Sequence, residues 1–241
     1  MKLLIFFIIA IFATFSFAQE EISKDYLMGK FKPSKDFRFT NSGGYYLRKE
    51  TFEAFEQMRS EAVKNGVYLR IVSATRTFSD QKRLWEDKWT ARMPVNTDTG
   101  EFLPRPLSRQ DFLTKEQRAL RILEFTAMPS ASRHHWGTDF DLNDVNPSYW
   151  ATSKGQKEYF WLTENAPKFG FCQVYSANRP SGYHEEKWHW SYLPIARTLT
   201  NEYQKQITDS DITLTEFIGS ETAITTRFIE NFVLGINPNC K

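Results

Sequence analysis

Residues 132–141 read SRHHWGTDFD, and the reading of this stretch from Ser132 to Asp141 decides the fold. Its first half is loop-like and ends at Gly137, where the lack of a Cβ lets the backbone turn. From Thr138 to Leu142 a short strand is expected. On a strand, side chains two apart share a face, so Asp139 and Asp141 point the same way. A loop histidine followed by a strand aspartate can therefore meet over one point. The chain has only four histidines, His134, His135, His184 and His189, all within one stretch of 56 residues.

A second cluster, Glu186-Lys187-Trp188-His189-Trp190, lies downstream. His189 would complete a His/Asp/His set. Three protein ligands with nitrogen and oxygen donors leave a fourth position open, the pattern of a catalytic rather than a structural zinc. Zinc lowers the pKa of bound water to about 7. Glu186, three residues before His189, is placed to act as general base and then acid. Arg76 directly follows an expected strand, 67–74, and a cation there could face a developing oxyanion. Each residue also has a plainer reading. A single buried histidine is more often a hydrogen-bonded core residue, Asp141 could be a turn carboxylate, and Glu186 and Arg76 ordinary surface charges. His135 and His184 are read as structural. The chain lacks the His-Glu-x-x-His helix of the zincin proteases.

Working outward, Phe52, Phe55, Met58 and Ala62 recur at helical spacing over 51–64, and Asn65-Gly66 supplies a stop. A helix over 79–89 with Ser79 as N-cap is expected. Residues 90–113 are polar, carry three prolines and read as a long loop, expected to cover a cleft. Thr114-Lys115-Glu116-Gln117 is a capping box. A helix near 156–168 precedes strands near 171–175 and 188–192, and the last fifty residues read as helical. Residues 19–45 read as an irregular arm. Helices and strands mix without a βαβ rhythm, so the class is α+β.

The first eighteen of the 241 residues read as a secretory signal peptide: Lys2, an apolar run Leu3–Ala13, then Ser16 and Ala18. Residues 19–241 are expected to form one domain, acting outside the cytoplasm as a monomer. The apolar run is short of the roughly 20 residues needed to span a bilayer. A net charge of +2 with no basic stripe disfavours nucleic acid as a partner. Aromatic residues are 16% of the chain, and its seven tryptophans read as core. Cys172 and Cys240 could form one disulfide in an exported chain, though spacing alone leaves this open.

Together, Ser132-x-His134-x-x-Gly137-x-x-x-Asp141 and Glu186-x-Trp188-His189 resemble the VanY-type D-alanyl-D-alanine carboxypeptidases. The upstream Ser73-Ala74-Thr75-Arg76 with Gln81 resembles that family's Ser-x-x-Arg…Gln element. The resemblance covers about residues 26–195. It implies the hedgehog/D,D-peptidase fold, a small antiparallel sheet flanked by helices with a zinc cleft. It implies one Zn2+ held by His134, Asp141 and His189, with Glu186 as acid/base and Arg76 steadying the oxyanion or the substrate carboxylate. Gln81 and Ser132 match positions that contact the terminal D-Ala.

Many members carry Ala where this chain has Asp139, which could orient a histidine or compete for the metal. The implied activity is removal of D-Ala from peptidoglycan stem peptides. The alternatives are an L,D-carboxypeptidase acting on tetrapeptide stems and a non-catalytic zinc-containing binding module.

Overall fold

The computed structural model describes residues 22–95 and 114–241. The expected leader and, within the loop, residues 96–113 lie outside the described residues. A short helix, α1 (Lys24–Leu27), precedes a hairpin of β1 (Phe39–Ser42) and β2 (Tyr45–Arg48). Then come α2 (Lys49–Lys64), β3 (Ile71–Ser73), α3 (Phe78–Trp89), α4 (Lys115–Ile122) and β4 (Asp139–Leu142). They are followed by α5 (Pro147–Ala151), α6 (Ser153–Asn165), β5 (Phe171–Gln173), β6 (His189–Tyr192) and α7 (Leu193–Gln206). Two short helices, α8 (Asp209–Thr213) and α9 (Thr222–Thr225), follow, and a π-helical turn over Ile229–Val233 and a 3-10 turn over Pro238–Cys240 complete the helical C-terminal part.

The central sheet is antiparallel with order β3-β4-β6-β5. Its register decides where everything else goes. Phe140 lies opposite Trp190, while the flanking pairs are Asp139 with Ser191 and Asp141 with His189. Phe140, Leu142, Trp190 and Phe171 share a core with Phe55 and Met58 of α2 and Trp161 and Leu162 of α6. The Phe140 ring sits 5.2 Å from both Phe55 and Phe171. Burying a side chain of this size contributes about 2–3 kcal/mol. A slip of one residue would exchange this apolar face for the polar one. Trp85, Trp89, Tyr203, Phe217 and Phe228 centre a second core, built by α3, α7 and the C-terminal segment. All seven tryptophans are buried.

Several local expectations hold and several change. Helix α2 buries Phe55, Met58 and Ala62, leaves Phe52 half-buried, and stops at Asn65 before Gly66 in the left-handed region. The N-cap of α3 is Thr77, not Ser79. Its hydroxyl accepts from Asp80 N–H and the Asp80 carboxylate accepts from Thr77 N–H. The capping box at Thr114 and Gln117 is present. Only Ile71–Ser73 of the expected strand joins the sheet; just before it, Arg70 N–H donates to the Asn143 side chain and the Arg70 carbonyl accepts from Asn143 N–H. From residue 22 on, the expected irregular arm carries a helix and a hairpin, with Gly43-Gly44 as the turn between β1 and β2.

Cys172 and Cys240 form a disulfide. It ties the C-terminal tail to β5, where Asn237 also donates to the carbonyls of Val174 and Gln173. Among the described residues no helix is long and apolar enough to cross a membrane. The bridge spans a sequence separation of 68 residues. Replacing both cysteines by serine should cost about 2–4 kcal/mol in a denaturant titration. A loss under about 1 kcal/mol would mean that Asn237 and the tail's packing hold it unaided.

Candidate metal centre

The polar face of the sheet and one tight turn build the site. Residues Arg133–Trp136 form a 3-10 turn that Gly137 ends at φ 73°. A Cβ at Gly137 would collide with the Phe39 ring. The N-terminal arm holds the turn: Tyr26 Oη donates to the Trp136 carbonyl at 2.7 Å and Arg48 N–H to the Gly137 carbonyl at 2.9 Å. His134 Nδ1 lies 2.8 Å from the Ala74 carbonyl. A carbonyl only accepts, so Nδ1 carries the proton and Nε2 keeps its lone pair. That Nε2 lies 3.4 Å from Asp141 Oδ2. From the other strand, His189 Nδ1 lies 3.2 Å from Asp141 Oδ1 and 3.7 Å from Glu186 Oε2.

One donor atom from each of His134, Asp141 and His189 lies within 4.8 Å of the others, and all three residues are buried. Asp141 Oδ1 is buried with no hydrogen-bond partner. An orphaned carboxylate oxygen beside two imidazole nitrogens is a poor arrangement for a closed protein core. It suits a three-ligand zinc centre.

Asp139 does not join this set. Its Oδ2 accepts from His189 Nε2 at 3.0 Å and Arg133 Nε at 2.8 Å, and its Oδ1 from the Thr138 and Ser191 hydroxyls, each at 2.7 Å. Arg133 is buried and also donates to Ser191 Oγ and to Thr200 Oγ1 of α7. Asp139 thus fixes the His189 ring with Nδ1 toward Asp141.

Burial disfavours every charge here, and the neighbours decide which survive. Burial would raise Asp139, but Arg133 and His189 hold it below the usual carboxylate range. Burial would likewise raise Asp141, and the His134 and His189 rings bring it well below its ordinary value. His189 is disfavoured as a cation by burial, yet its hydrogen bond to Asp139 and the negative charge of Asp141 lift it to about 9. Burial, with Arg76 nearby, lowers His134. Glu186 is pushed up to about 8, by burial first, partly offset by His189.

The other expected residues divide. Arg76, Ser132 and Glu186 line the same cleft as the three donors, a space of about 430 Å³. Gln81 does not line it. It is fully buried, with Nε2 on the Ala127 carbonyl at 2.7 Å and Oε1 unpartnered. His184 lies apart, its ring 5.0 Å from Phe125. His135 has a positioning role its sequence context did not signal: its Nδ1 donates to the Arg76 carbonyl at 2.7 Å, while Arg76 N–H donates to the His134 carbonyl at 3.1 Å. Burial pushes His135 down to about 3, so it is neutral. The stacked rings of Phe125 and Trp188, with Tyr175 and Tyr183, form aromatic walls.

The family model described as VanY, D-alanyl-D-alanine carboxypeptidase, matches residues 44–195, which contain the three metal-donor candidates and all the cleft-lining side chains. The chain belongs to the VanY family. Its relatives include YodJ of Bacillus subtilis (strain 168), a provisionally named carboxypeptidase, 26% identical over 212 residues. That match covers 81% of this chain and 65% of the relative. A D-alanyl-D-alanine carboxypeptidase of Enterococcus faecalis (strain ATCC 700802 / V583) is 25% identical over 65% of this chain and 50% of its own length. The chain thus spans between half and two thirds of these curated relatives.

Among solved structures, VanYB in complex with D-alanine-D-alanine superposes with a TM-score of 0.51 at 22% identity. That superposition covers 75% of this chain and 90% of VanYB. A mutant VanY D,D-pentapeptidase from a VanB-type resistance cassette, in complex with Zn(II), gives 0.50 at 22%, over 72% of this chain and 88% of its own. These likenesses establish the expected α+β, hedgehog/D,D-peptidase-like fold.

Two outcomes are expected for this VanY-family chain. Asp139→Ala leaves Arg133 buried without its carboxylate and should cost about 3–5 kcal/mol in a denaturant titration. It should also weaken metal binding about 10–100-fold in a chelator competition. The metal-free protein should lose stability as pH rises from 6.5 to 8. Both Glu186 and His189 have native pKa values above their ordinary 4.5 and 6.5, so the native state holds more protons than the unfolded chain across that window. The slope should be on the order of 1 kcal/mol per pH unit for each group. Melting curves of Glu186→Gln should show about half of it, and an unchanged slope would remove Glu186 from the account.

Proposed function

We propose that the protein is an exported zinc metallocarboxypeptidase that removes the C-terminal D-Ala from peptidoglycan stem peptides. The observation that carries this reading is the convergence of His134, Asp141 and His189 on one point of a cleft, with Glu186 3.7 Å from His189 and Arg76 on the same lining. A zinc ion held by these three residues would supply Lewis acidity for the scissile carbonyl.

The chain's own groups supply the rest. Glu186 takes the proton of the attacking water and delivers it to the leaving amine. Its raised proton affinity suits the second role, and a cation among its neighbours favours the ionised form needed for the first. Arg76, gripped through its backbone by His134 and His135, faces the developing oxyanion. Ser132 contacts the terminal residue from the cleft lining. Gln81 supports that wall through Ala127 and has Oε1 free to accept. The aromatic walls exclude water from the cleft.

Family membership supports the substrate class, and a relative solved with D-alanine-D-alanine is consistent with it. Export rests on the leader-like residues 1–18 and on the Cys172–Cys240 disulfide, which suits an oxidising compartment. Residues 19–241 would then act as one unit, helical from about residue 195.

The test is mass spectrometry of pentapeptide and tetrapeptide stems after incubation with the zinc-loaded protein. Loss of D-Ala from the pentapeptide is expected. Loss from the tetrapeptide alone would move the enzyme to the L,D class, and no change in either would overturn the reading. Glu186→Ala should retain zinc and lose turnover by about 10²–10⁴-fold. His189→Ala should lose both.

A further inference from the structure

The connection from β5 to β6 carries Tyr175 and Tyr183 into the cleft lining and runs on into Glu186. The Tyr175 ring lies 4.6 Å from that of His189 and 4.9 Å from that of Tyr183. Residues 176–185 of the same loop line a groove of about 580 Å³, which shares Phe125 and Tyr183 with the cleft. The position of this loop therefore shapes both the space around the metal donors and the space beside it.

The side chain of Arg179 organises the loop. Its Nε donates to the Ser176 carbonyl at 2.8 Å, and its guanidinium donates to the carbonyls of Ser181, Tyr183 and His184. Among the described residues Arg179 forms no ion pair. One more of its N–H groups donates to the Gly235 carbonyl, far along the chain. The segment around Gly235 meets the loop in other ways too. Phe228 and Phe232 stack at 5.4 Å, and the Phe232 ring lies 5.3 Å from Tyr183. Gly182, at φ 100°, touches Gly235 backbone to backbone, and a Cβ on Gly235 would stand 2.9 Å from Gly182 Cα. Asn237 and the Cys172–Cys240 bridge then return the segment to β5, the strand from which the loop departs. The loop is gripped at its base, at Arg179 and at Tyr183. The family model's match ends at residue 195, so the whole grip comes from beyond it.

We propose that residues 228–240 are a positioning element of the substrate site. Through Phe232 and the Gly235 carbonyl they hold the Tyr175–Tyr183 wall at the distance that binds the stem peptide. Contact with such a wall falls off steeply, and a gap of about 0.5–1 Å forfeits a quarter to a half of the dispersion attraction. The metal donors are placed separately, by the register of β4 on β6 and by the 132–137 turn. Releasing the wall should thus weaken substrate binding and leave the chemical step intact. The proposal takes its substrate from the carboxypeptidase reading, while the positioning itself rests on these contacts alone.

The experiment compares three variants of the zinc-loaded full chain. Phe232→Ala removes the ring behind Tyr183, Phe232→Tyr keeps it, and Met58→Ala opens a cavity in the other core. Phe232→Ala should raise KM for a stem pentapeptide about 5-fold or more with kcat within about 2-fold. Phe232→Tyr should stay near wild type, and Met58→Ala should keep the wild-type KM despite its lost stability. Nitration by tetranitromethane, mapped by mass spectrometry, reads the wall without turnover. Buried Tyr183 should react slowly in wild type and Met58→Ala and faster in Phe232→Ala. Phe232→Leu gives the same readouts at smaller size should Phe232→Ala fail to fold. An unchanged KM, an unchanged reactivity of Tyr183, or an equal rise of KM in Met58→Ala overturns the proposal. A wild type that hydrolyses no stem peptide overturns the proposed activity, while nitration still decides whether the segment holds the wall.

Discussion

The carboxylate of Asp139 is the constraint on which the site depends. It gathers donors from the 132–137 turn, from β4 itself and from β6, and through Arg133 it reaches α7. A buried ion pair of this kind adds little net stability compared with well-packed apolar groups. What it supplies is geometry. With His189 Nε2 bonded to Asp139, the other ring nitrogen faces Asp141, and the cross-strand register of β4 on β6 is tied to the orientation of a candidate metal donor. A change at Asp139 would therefore disturb packing, register and donor orientation together.

Around this point, histidines of similar burial behave in opposite ways because their partners differ. His134 and His135 each give Nδ1–H to a backbone carbonyl, so burial keeps them neutral. His189 lies between two carboxylates and holds a proton more firmly than a free imidazole. The two neutral rings clamp the segment bearing Arg76, whereas the basic ring stands beside Glu186. Backbone carbonyls make struts of the first two, and carboxylates make the third a proton-responsive member of the candidate metal set.

Much of this was legible in the sequence, and what was not has a physical reason. His134, Asp141, Glu186 and His189 could be read because strand pleating and short spacings are local properties. The task of Asp139 could not, since it shares a face with Asp141 and only pairing with β6, fifty residues away, separates the two. The arm reads as irregular because its strands are only four residues long, although Gly43-Gly44 between them is a sign of the turn. Ser79 reads as a cap in sequence, but the reciprocal capping box of Thr77 and Asp80 starts the helix earlier.

The tail that follows α9 also has a bearing on solubility. Strand β5 is the outermost strand of its sheet, and an unpaired rim of backbone groups invites another chain to add itself. Here the molecule's own end occupies part of that rim, with Asn237 bonded to Val174 and Gln173 and the Cys172–Cys240 bridge preventing release. Reduction of one covalent bond would thus do more than loosen a terminus. It would leave the cover over that sheet margin to the Asn237 hydrogen bonds and the tail's packing alone.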